Sequence, residues 1–432
     1  MNKHVTEKQG STRRQFIQTS AALGAAAWAI GGPAFAQNAD PIRIGLVGCG
    51  RRGIGAVQDC VNSSPNVQLV AIADVFEDQL ATSRERFEGL GDANRVTDDT
   101  AFAGFDAYKQ VVAADVDVVL ICSPPGFHPD QYQACVDAGK HVFMEKPGAV
   151  DVAGVRKLLA TTEQAREKGL SVVSGTQRRH QEMYLEMMRR IHEEGAIGDV
   201  VAAQCYWVGG YDYYTPPERN PEWSDMEWQL RNWNYYCWLS GDHIVEQHLH
   251  NIDVMHWVFG ANPIKCYGIG GRQQRVGPQY GHIFDHFTVE FEYPGDVRVQ
   301  SLCRQQSNSD VSRVEEHIVG TKGYVNTGSR TRGIYGENPY RYEPEGQPPN
   351  PYVQEHTNLI ASIREGRPIN EGKNLAESTL AAIMGRMACY TGQEVTWEWA
   401  LNESQENLLP ERLEMGPMPE FPVAVPGRTE LV

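Results

Sequence analysis

The chain reads as an α/β protein: a doubly wound parallel sheet first, then an α+β domain with a mostly antiparallel sheet. Three observations predict this. Short apolar runs alternate with amphipathic segments from residue 41 to residue 177, the pattern of parallel strands joined by crossover helices. The first strand-to-helix turn is Gly48-Cys49-Gly50-Arg51-Arg52-Gly53, a G-x-G-x-x-G with a β-rich run before it and a helical stretch after it. That is the context in which the motif carries meaning. Beyond Gly260, strand-like runs recur at 264–269, 284–293, 297–304 and 313–319, without the helical interludes of the first half.

The N-terminal half follows in order. Residues 41–47 form the first strand, and the glycine turn marks a Rossmann domain over 41–177. Gly48 permits the tight turn, Gly50 lets backbone approach a pyrophosphate, and Gly53 allows close helix–strand packing. The following helix, through residues 57–61, offers unpaired N–H groups and the positive end of its dipole to phosphate. The second strand, 67–73, ends at Asp74. An acid there hydrogen-bonds the adenosine ribose 2′-hydroxyl and repels a 2′-phosphate, so NAD is the expected cofactor. Arg51 and Arg52 keep NADP open, since either can meet a phosphate. Further strands are read at 116–122, 141–144 and 170–175, with helices at 129–138 and 152–168. Lys146, in Glu145-Lys146-Pro147, leaves a strand at its C-terminal end, where open α/β sheets place ligands. An ammonium there can polarise a hydroxyl or carbonyl oxygen.

The second domain is read over 178–400. Between Tyr206 and Trp238 aromatic residues crowd in: Tyr211, Tyr213, Tyr214, Trp223, Trp228, Trp233, Tyr235, Tyr236 and Trp238. Flat rings with polar tips suit a sugar, and they suit a self-packed loop equally. Residues 242–258 are read as one helix, N-capped by Asp242 or Ser240 and ended by Gly260. On it Glu246, His250, Asp253 and Trp257 share a face. His250 would be the proton acceptor, Glu246 would orient it and Asp253 would tune it. His243, His248, His250 and His256 point around that helix rather than to one side, so no metal is expected. Helices at 353–364 and 375–390 should pack back toward the first domain. Residues 401–432 form a C-terminal arm, and the Pro- and Glu-rich part from residue 409 is read as an arm or poorly ordered.

The N-terminus and the charge restrict the setting. Residues 1–36 carry Arg13-Arg14-Gln15-Phe16-Ile17, a weakly apolar run and Ala34-Phe35-Ala36. This reads as a twin-arginine export signal, with the translocase as a partner and the periplasm, or another location outside the cytoplasm, as destination. The run is short for a membrane span, so no stable insertion is expected. Net charge is −16 for the whole chain, which argues against nucleic acid and anionic membranes. Nine cysteines without a C-x-x-C read as buried small residues, Cys49, Cys60, Cys122 and Cys135 most plainly, with one surface disulfide left open. An enzyme working away from the cytoplasmic nicotinamide pool should hold its cofactor tightly.

Three landmarks arrive together: the turn at Gly48, Ser123-Pro124-Pro125-Gly126-Phe127-His128, and Ala138-Gly139-Lys140-His141-Val142-Phe143-Met144-Glu145-Lys146-Pro147. In these the chain resembles the glucose–fructose oxidoreductase / inositol dehydrogenase (Gfo/Idh/MocA) family, from about residue 41 to about residue 399. The resemblance implies a catalytic Lys146, a cis Pro147, and Ser123, Pro124 and His128 near the nicotinamide ribose. It places the catalytic histidine at His250, within His-Asn-Ile-Asp-Val-Met-His-Trp. The acid four residues earlier, usually aspartate, is here Glu246. The cofactor set is thus Gly48, Gly50, Arg52, Gly53, Asp74, Ser123, Pro124, His128, Glu145 and Lys146, with Arg179, Tyr236 and Asp253 assigned to substrate. The implied activity is NAD(P)-dependent oxidation of a sugar, cyclitol or polyol alcohol in a homodimer or homotetramer. Two alternatives are glycoside cleavage by transient oxidation without net redox change, and sugar binding without catalysis.

Overall fold

Strands β1 (Ile42–Val47), β2 (Val67–Asp74), β3 (Ala101–Ala103), β4 (Val118–Ile121), β5 (His141–Met144) and β6 (Val172–Ser174) pair in parallel in the order β3-β2-β1-β4-β5-β6. The order in which successive strands are added reverses between β1 and β4, which opens the crevice where such sheets bind ligands. Alternate residues of each strand enter different apolar clusters. Ile44, Leu46, Val118, Leu120 and Phe143 pack with the helix Arg51–Ser63, while Val47, Val119, Ile121, Val142 and Met144 face the other side. A strand with both faces covered must be apolar throughout, and β4 is buried at every residue.

This arrangement is that of a computed structural model, which describes residues 40–209, 214–344 and 346–432. The leader 1–36, Tyr211 and Tyr213 lie outside the described residues.

The second sheet comprises β7 (Val200–Gly209), β8 (Lys265–Gly271), β9 (His286–Tyr293), β10 (Val297–Gln305), β11 (Arg313–Gly320), β12 (Gly323–Asn326), β13 (Gly333–Gly336) and β14 (Val395–Thr396). Their order is β13-β12-β11-β7-β10-β9-β8-β14, antiparallel except where β7 meets β10. Along β9 the residues Phe287, Val289, Phe291 and Tyr293 are buried, and their neighbours are more exposed. This period of two puts one face on the core. That face, the helix Gly372–Thr391 and Rossmann residues such as Met144 and Leu158 belong to one apolar cluster. The helix Pro351–Arg364 places Leu359 and Ile360 in the cluster beneath the helix Arg51–Ser63. Two expectations are corrected. Residues 242–258 are not one helix but two, His243–Glu246 and Leu249–Phe259, broken at Gln247 and His248. Residues 409–432 form no helix or strand, yet they are seated: Leu413, Met418 and Phe421 pack on an apolar cluster, and Gly427 N–H donates to Thr391 O at 2.8 Å. All nine cysteines are unpaired thiols, eight of them buried.

The glycine turn sets how close helix and strand approach. A Cβ on Gly53 would lie 1.9 Å from Gly48 O, whereas one on Gly50 would meet nothing within 4 Å. Gly53→Ala should therefore lower stability by about 1–3 kcal/mol, as overpacking does. Gly50→Ala should change it by no more than about 0.5 kcal/mol. Urea unfolding of the full chain measures both.

Candidate active site

A cavity of about 1020 Å³ opens along the carboxyl ends of β1, β2, β4 and β5. Its floor is the glycine turn. Gly48 has φ +95°, and a Cβ there would strike Ser123 N at 2.4 Å, so only glycine fits. Gly50 precedes the helix Arg51–Ser63, which has no side-chain cap. Its first N–H groups are thus left for another partner. Asp74 lines the same cavity; its oxygens accept Cys49 N–H at 2.8 Å and Phe76 N–H at 3.0 Å. Burial pushes its pKa up. Each oxygen keeps a lone pair for a further donor. The open space above Gly50, the uncapped helix and Asp74 together fit a dinucleotide.

Beyond β5 the backbone passes a cis Lys146–Pro147 bond. Lys146 Nζ donates to Glu246 O at 2.8 Å and to Glu246 Oε1 at 2.9 Å. In an unbroken helix that carbonyl would accept from His250 N–H. His250 N–H turns instead to Gln247 O at 3.4 Å. The helix break thus frees a carbonyl, and the Lys146 ammonium takes it. The expectation that Glu246 orients His250 is corrected for this reason: Glu246 Oε1 faces Lys146, and among the described residues no hydrogen bond joins it to His250.

His250 lines the cavity and stacks on Trp207, ring centres 5.7 Å apart. Burial first, then the charges of Lys146 and Arg178, hold its pKa well below the usual histidine value. These effects favour the uncharged imidazole over the imidazolium. Two buried atoms here, His250 Nδ1 and Glu246 Oε2, have no hydrogen-bond partner. Unsatisfied buried polar atoms at a cavity are where a bound hydroxyl would find its partners.

The remaining site residues divide. Ser123, Pro124, Glu145 and Arg52 line the cavity. Arg52 is engaged by carboxylates: Glu145, Asp59 at 3.1 Å and Glu355 at 3.3 Å. It anchors Glu145 more than it offers itself to phosphate. Fully buried Glu355 sits beside Glu145, and burial with that repulsion drives its pKa well up. His128 does not reach the cavity. Its ring nitrogens lie 2.8 Å from Ser123 O and 2.9 Å from Pro147 O, so it ties the Ser123 turn to the Lys146 segment. Arg179 and Asp253 are also elsewhere. They form a bidentate pair at 2.9–3.1 Å, with Ser378 Oγ donating to Asp253 at 2.7 Å and Trp257 beneath the guanidinium. Two opposite charges buried together satisfy each other and leave nothing for a ligand. Tyr236 is buried in the aromatic cluster around Trp238. Trp207, Gln247 and Tyr352 line the cavity and were not singled out in the sequence. Trp207 lay within the aromatic-rich stretch; Gln247 lies between the two short helices that the sequence had read as one.

Three adjacent histidines give a pH signature. Burial lowers His243 and His248 to about 3, and His250 falls well below its usual value. In the unfolded chain each titrates near 6.5. The unfolded state then binds more protons just below that pH, so stability falls as pH drops from 6.5 toward 3 and is full above 6.5. His248→Gln should flatten the decline in urea midpoint between pH 6.5 and 4.

Residues 42–175 match the family described as "Oxidoreductase family, NAD-binding Rossmann fold", and residues 185–326 match the GFO/IDH/MocA C-terminal domain. Inositol 2-dehydrogenase 3 of Saccharopolyspora erythraea is 26% identical over 286 residues, 66% of this chain and 72% of that protein. A glycosyl hydrolase family 109 protein of Shewanella amazonensis is 29% identical over 250 residues, 57% of this chain and 47% of that protein. A levoglucosan dehydrogenase solved with NADH and levoglucosan shares the fold, at TM-score 0.63 and 16% identity, covering 83% of this chain and 99% of that one. With both halves matched in order and over well more than half its length, the chain belongs to the Gfo/Idh/MocA family of NAD-binding oxidoreductases.

Proposed function

We propose that this protein oxidises or reduces a secondary alcohol carbon of a sugar, cyclitol or related polyol with NAD(H). The observation that carries the reading is the convergence of Lys146 and His250 on a cavity that continues to the glycine turn. The nicotinamide, when bound, supplies the hydride acceptor or donor. The protein does the rest. Neutral His250 takes the hydroxyl proton as the carbonyl forms and returns it in the reverse direction. Lys146, its ammonium fixed by the Glu246 carbonyl and carboxylate, stabilises the developing alkoxide. Trp207 and the cavity walls exclude water from the alcohol. Asp74 favours NAD over NADP, because it would face a 2′-phosphate with like charge. The glycosyl hydrolase relative supports a second reading, in which the same groups serve glycoside cleavage without net redox change.

We further propose that the chain is exported through Arg13 and Arg14, carries its nucleotide with it, and works as a homo-oligomer. Arg13→Lys with Arg14→Lys should leave it in the cytoplasm, and light scattering of the exported form gives its assembly state.

Lys146→Met and His250→Asn should each reduce turnover by about 10²–10⁴, the range of acid–base catalysis, while nucleotide binding persists. Wild-type turnover in both variants would sink the assignment. A panel of free polyols and aryl glycosides separates the two readings. Reduced nicotinamide formed in proportion to product supports the dehydrogenase, and released aglycone without it supports the cleavage reaction.

A further inference from the structure

The chemistry at Lys146 makes no use of the segment from Tyr214 to Trp238, nor of the tail. Yet Tyr214, Trp223, Leu230, Arg231 and Trp233 line the cavity. They share it with Val75, Phe76 and Phe105, which follow β2 and β3. That is the Asp74 side of the sheet, with β1 and β4 between it and Lys146 at the end of β5.

Arg231 joins this segment to the Rossmann domain. Its Nη1 and Nη2 donate to the two oxygens of Asp78 at 2.9 and 3.2 Å. Its Nε donates to Glu227 Oε1 at 2.9 Å. The guanidinium stands 3.9 Å from the Phe76 ring centre and 5.0 Å from that of Trp223. One side chain therefore stacks on a residue two places beyond Asp74 and pairs with another four places beyond it.

The segment is braced from behind. Met226, Trp228, Tyr235 and Trp238 bury in one apolar cluster, against which Phe76 and Phe105 pack, as do Leu413, Met418 and Phe421 of the tail. Met226 N–H donates to Gly416 O at 3.0 Å, and Met418 N–H to Asp225 Oδ2 at 3.3 Å. The short helix Asp225–Arg231 is thus held between the tail and the end of β2.

We propose that this segment is a retention clamp for the dinucleotide, latched by Arg231 on Phe76 and Asp78 and braced by the tail. The proposal rests on the dinucleotide reading of the cavity. Aromatic faces and a stacked guanidinium suit a flat heteroaromatic base. The latch bridges two parts of the chain that must separate for a nucleotide to leave past Phe76. Release is then limited by opening of the Arg231 contact, and the cofactor behaves as a resident group.

The test uses the full-length chain loaded with NADH. Dissociation is followed by loss of bound NADH fluorescence on mixing with excess NAD. Arg231→Ala should release NADH at least tenfold faster than wild type. Asp78→Asn, which cuts the ion pair from its exposed side and keeps the packing, should release it about threefold faster. Exchanging the charges, Asp78→Arg with Arg231→Asp, should recover part of the loss. Melting temperature without nucleotide should be unchanged in Asp78→Asn, which separates a latch from general loosening. If Asp78→Asn and a folded Arg231→Ala both release NADH at the wild-type rate, the clamp is overturned and the dinucleotide reading stands. If Arg231→Ala does not fold, Asp78→Asn alone decides. If the wild-type chain carries no nucleotide as isolated and takes up neither NADH nor NADPH on titration, clamp and cofactor reading fall together.

Discussion

The contact of Lys146 Nζ with the Glu246 carbonyl and carboxylate joins the two halves of the molecule at the cavity. Lys146 leaves the parallel sheet at the end of β5, and Glu246 ends the short helix His243–Glu246 of the second half. A lysine amine so placed must find acceptors, because burying an unpaired ammonium is costly. The second half supplies two on one residue by ending a helical turn early. The interruption frees the carbonyl and starts the helix Leu249–Phe259 anew, with His250 near its beginning. The position of the neutral imidazole is thus tied to that of the ammonium.

Around this contact the charges are sorted by whether a partner is already in place. Arg52 is held by Glu145, Asp59 and Glu355, Arg178 by Glu316, and Arg179 by Asp253. The Arg178–Glu316 and Arg179–Asp253 pairs are largely buried and lie away from the cavity, whereas Arg52 and Glu145 form part of its wall. Removing one partner would strand the other, which makes them structural elements rather than ligand contacts. Buried polar atoms without partners remain on His250 and Glu246, beside Lys146 at the cavity. The division follows from geometry: planar guanidinium and carboxylate groups can pair through two parallel hydrogen bonds, as Arg179 and Asp253 do, whereas a lone imidazole nitrogen cannot satisfy itself.

Some of this was legible in the residues. The alternation of apolar runs with amphipathic segments gave the parallel sheet because each strand is covered on both faces. The glycine turn was readable because Gly48 and Gly53 occupy positions where a Cβ has no room. Lys146 and His250 were named before their contacts were visible, and the cavity brings both to one place. Other readings failed for identifiable reasons. The shared face of Glu246, His250 and Asp253 assumed an unbroken helix. No proline or glycine marks the break at Gln247 and His248; the carbonyl it frees on Glu246 is taken by Lys146, which follows β5. Arg179 and Asp253 looked available because their mutual pairing is made between segments 74 residues apart. The tail, rich in proline, carried no periodic signal, and its seat is built by side chains from elsewhere in the chain.

The sequence by itself determined the local chemistry: which residues can turn, which can be buried, and which can move a proton. Those properties belong to a residue and its near neighbours. Only the tertiary structure decided which charges were already spent on one another, and that the aromatic segment covers the Asp74 end of the cavity. Pairing and enclosure depend on contacts between residues distant in the chain. The glycine turn and Lys146 could therefore be read in advance, while the company each keeps could not.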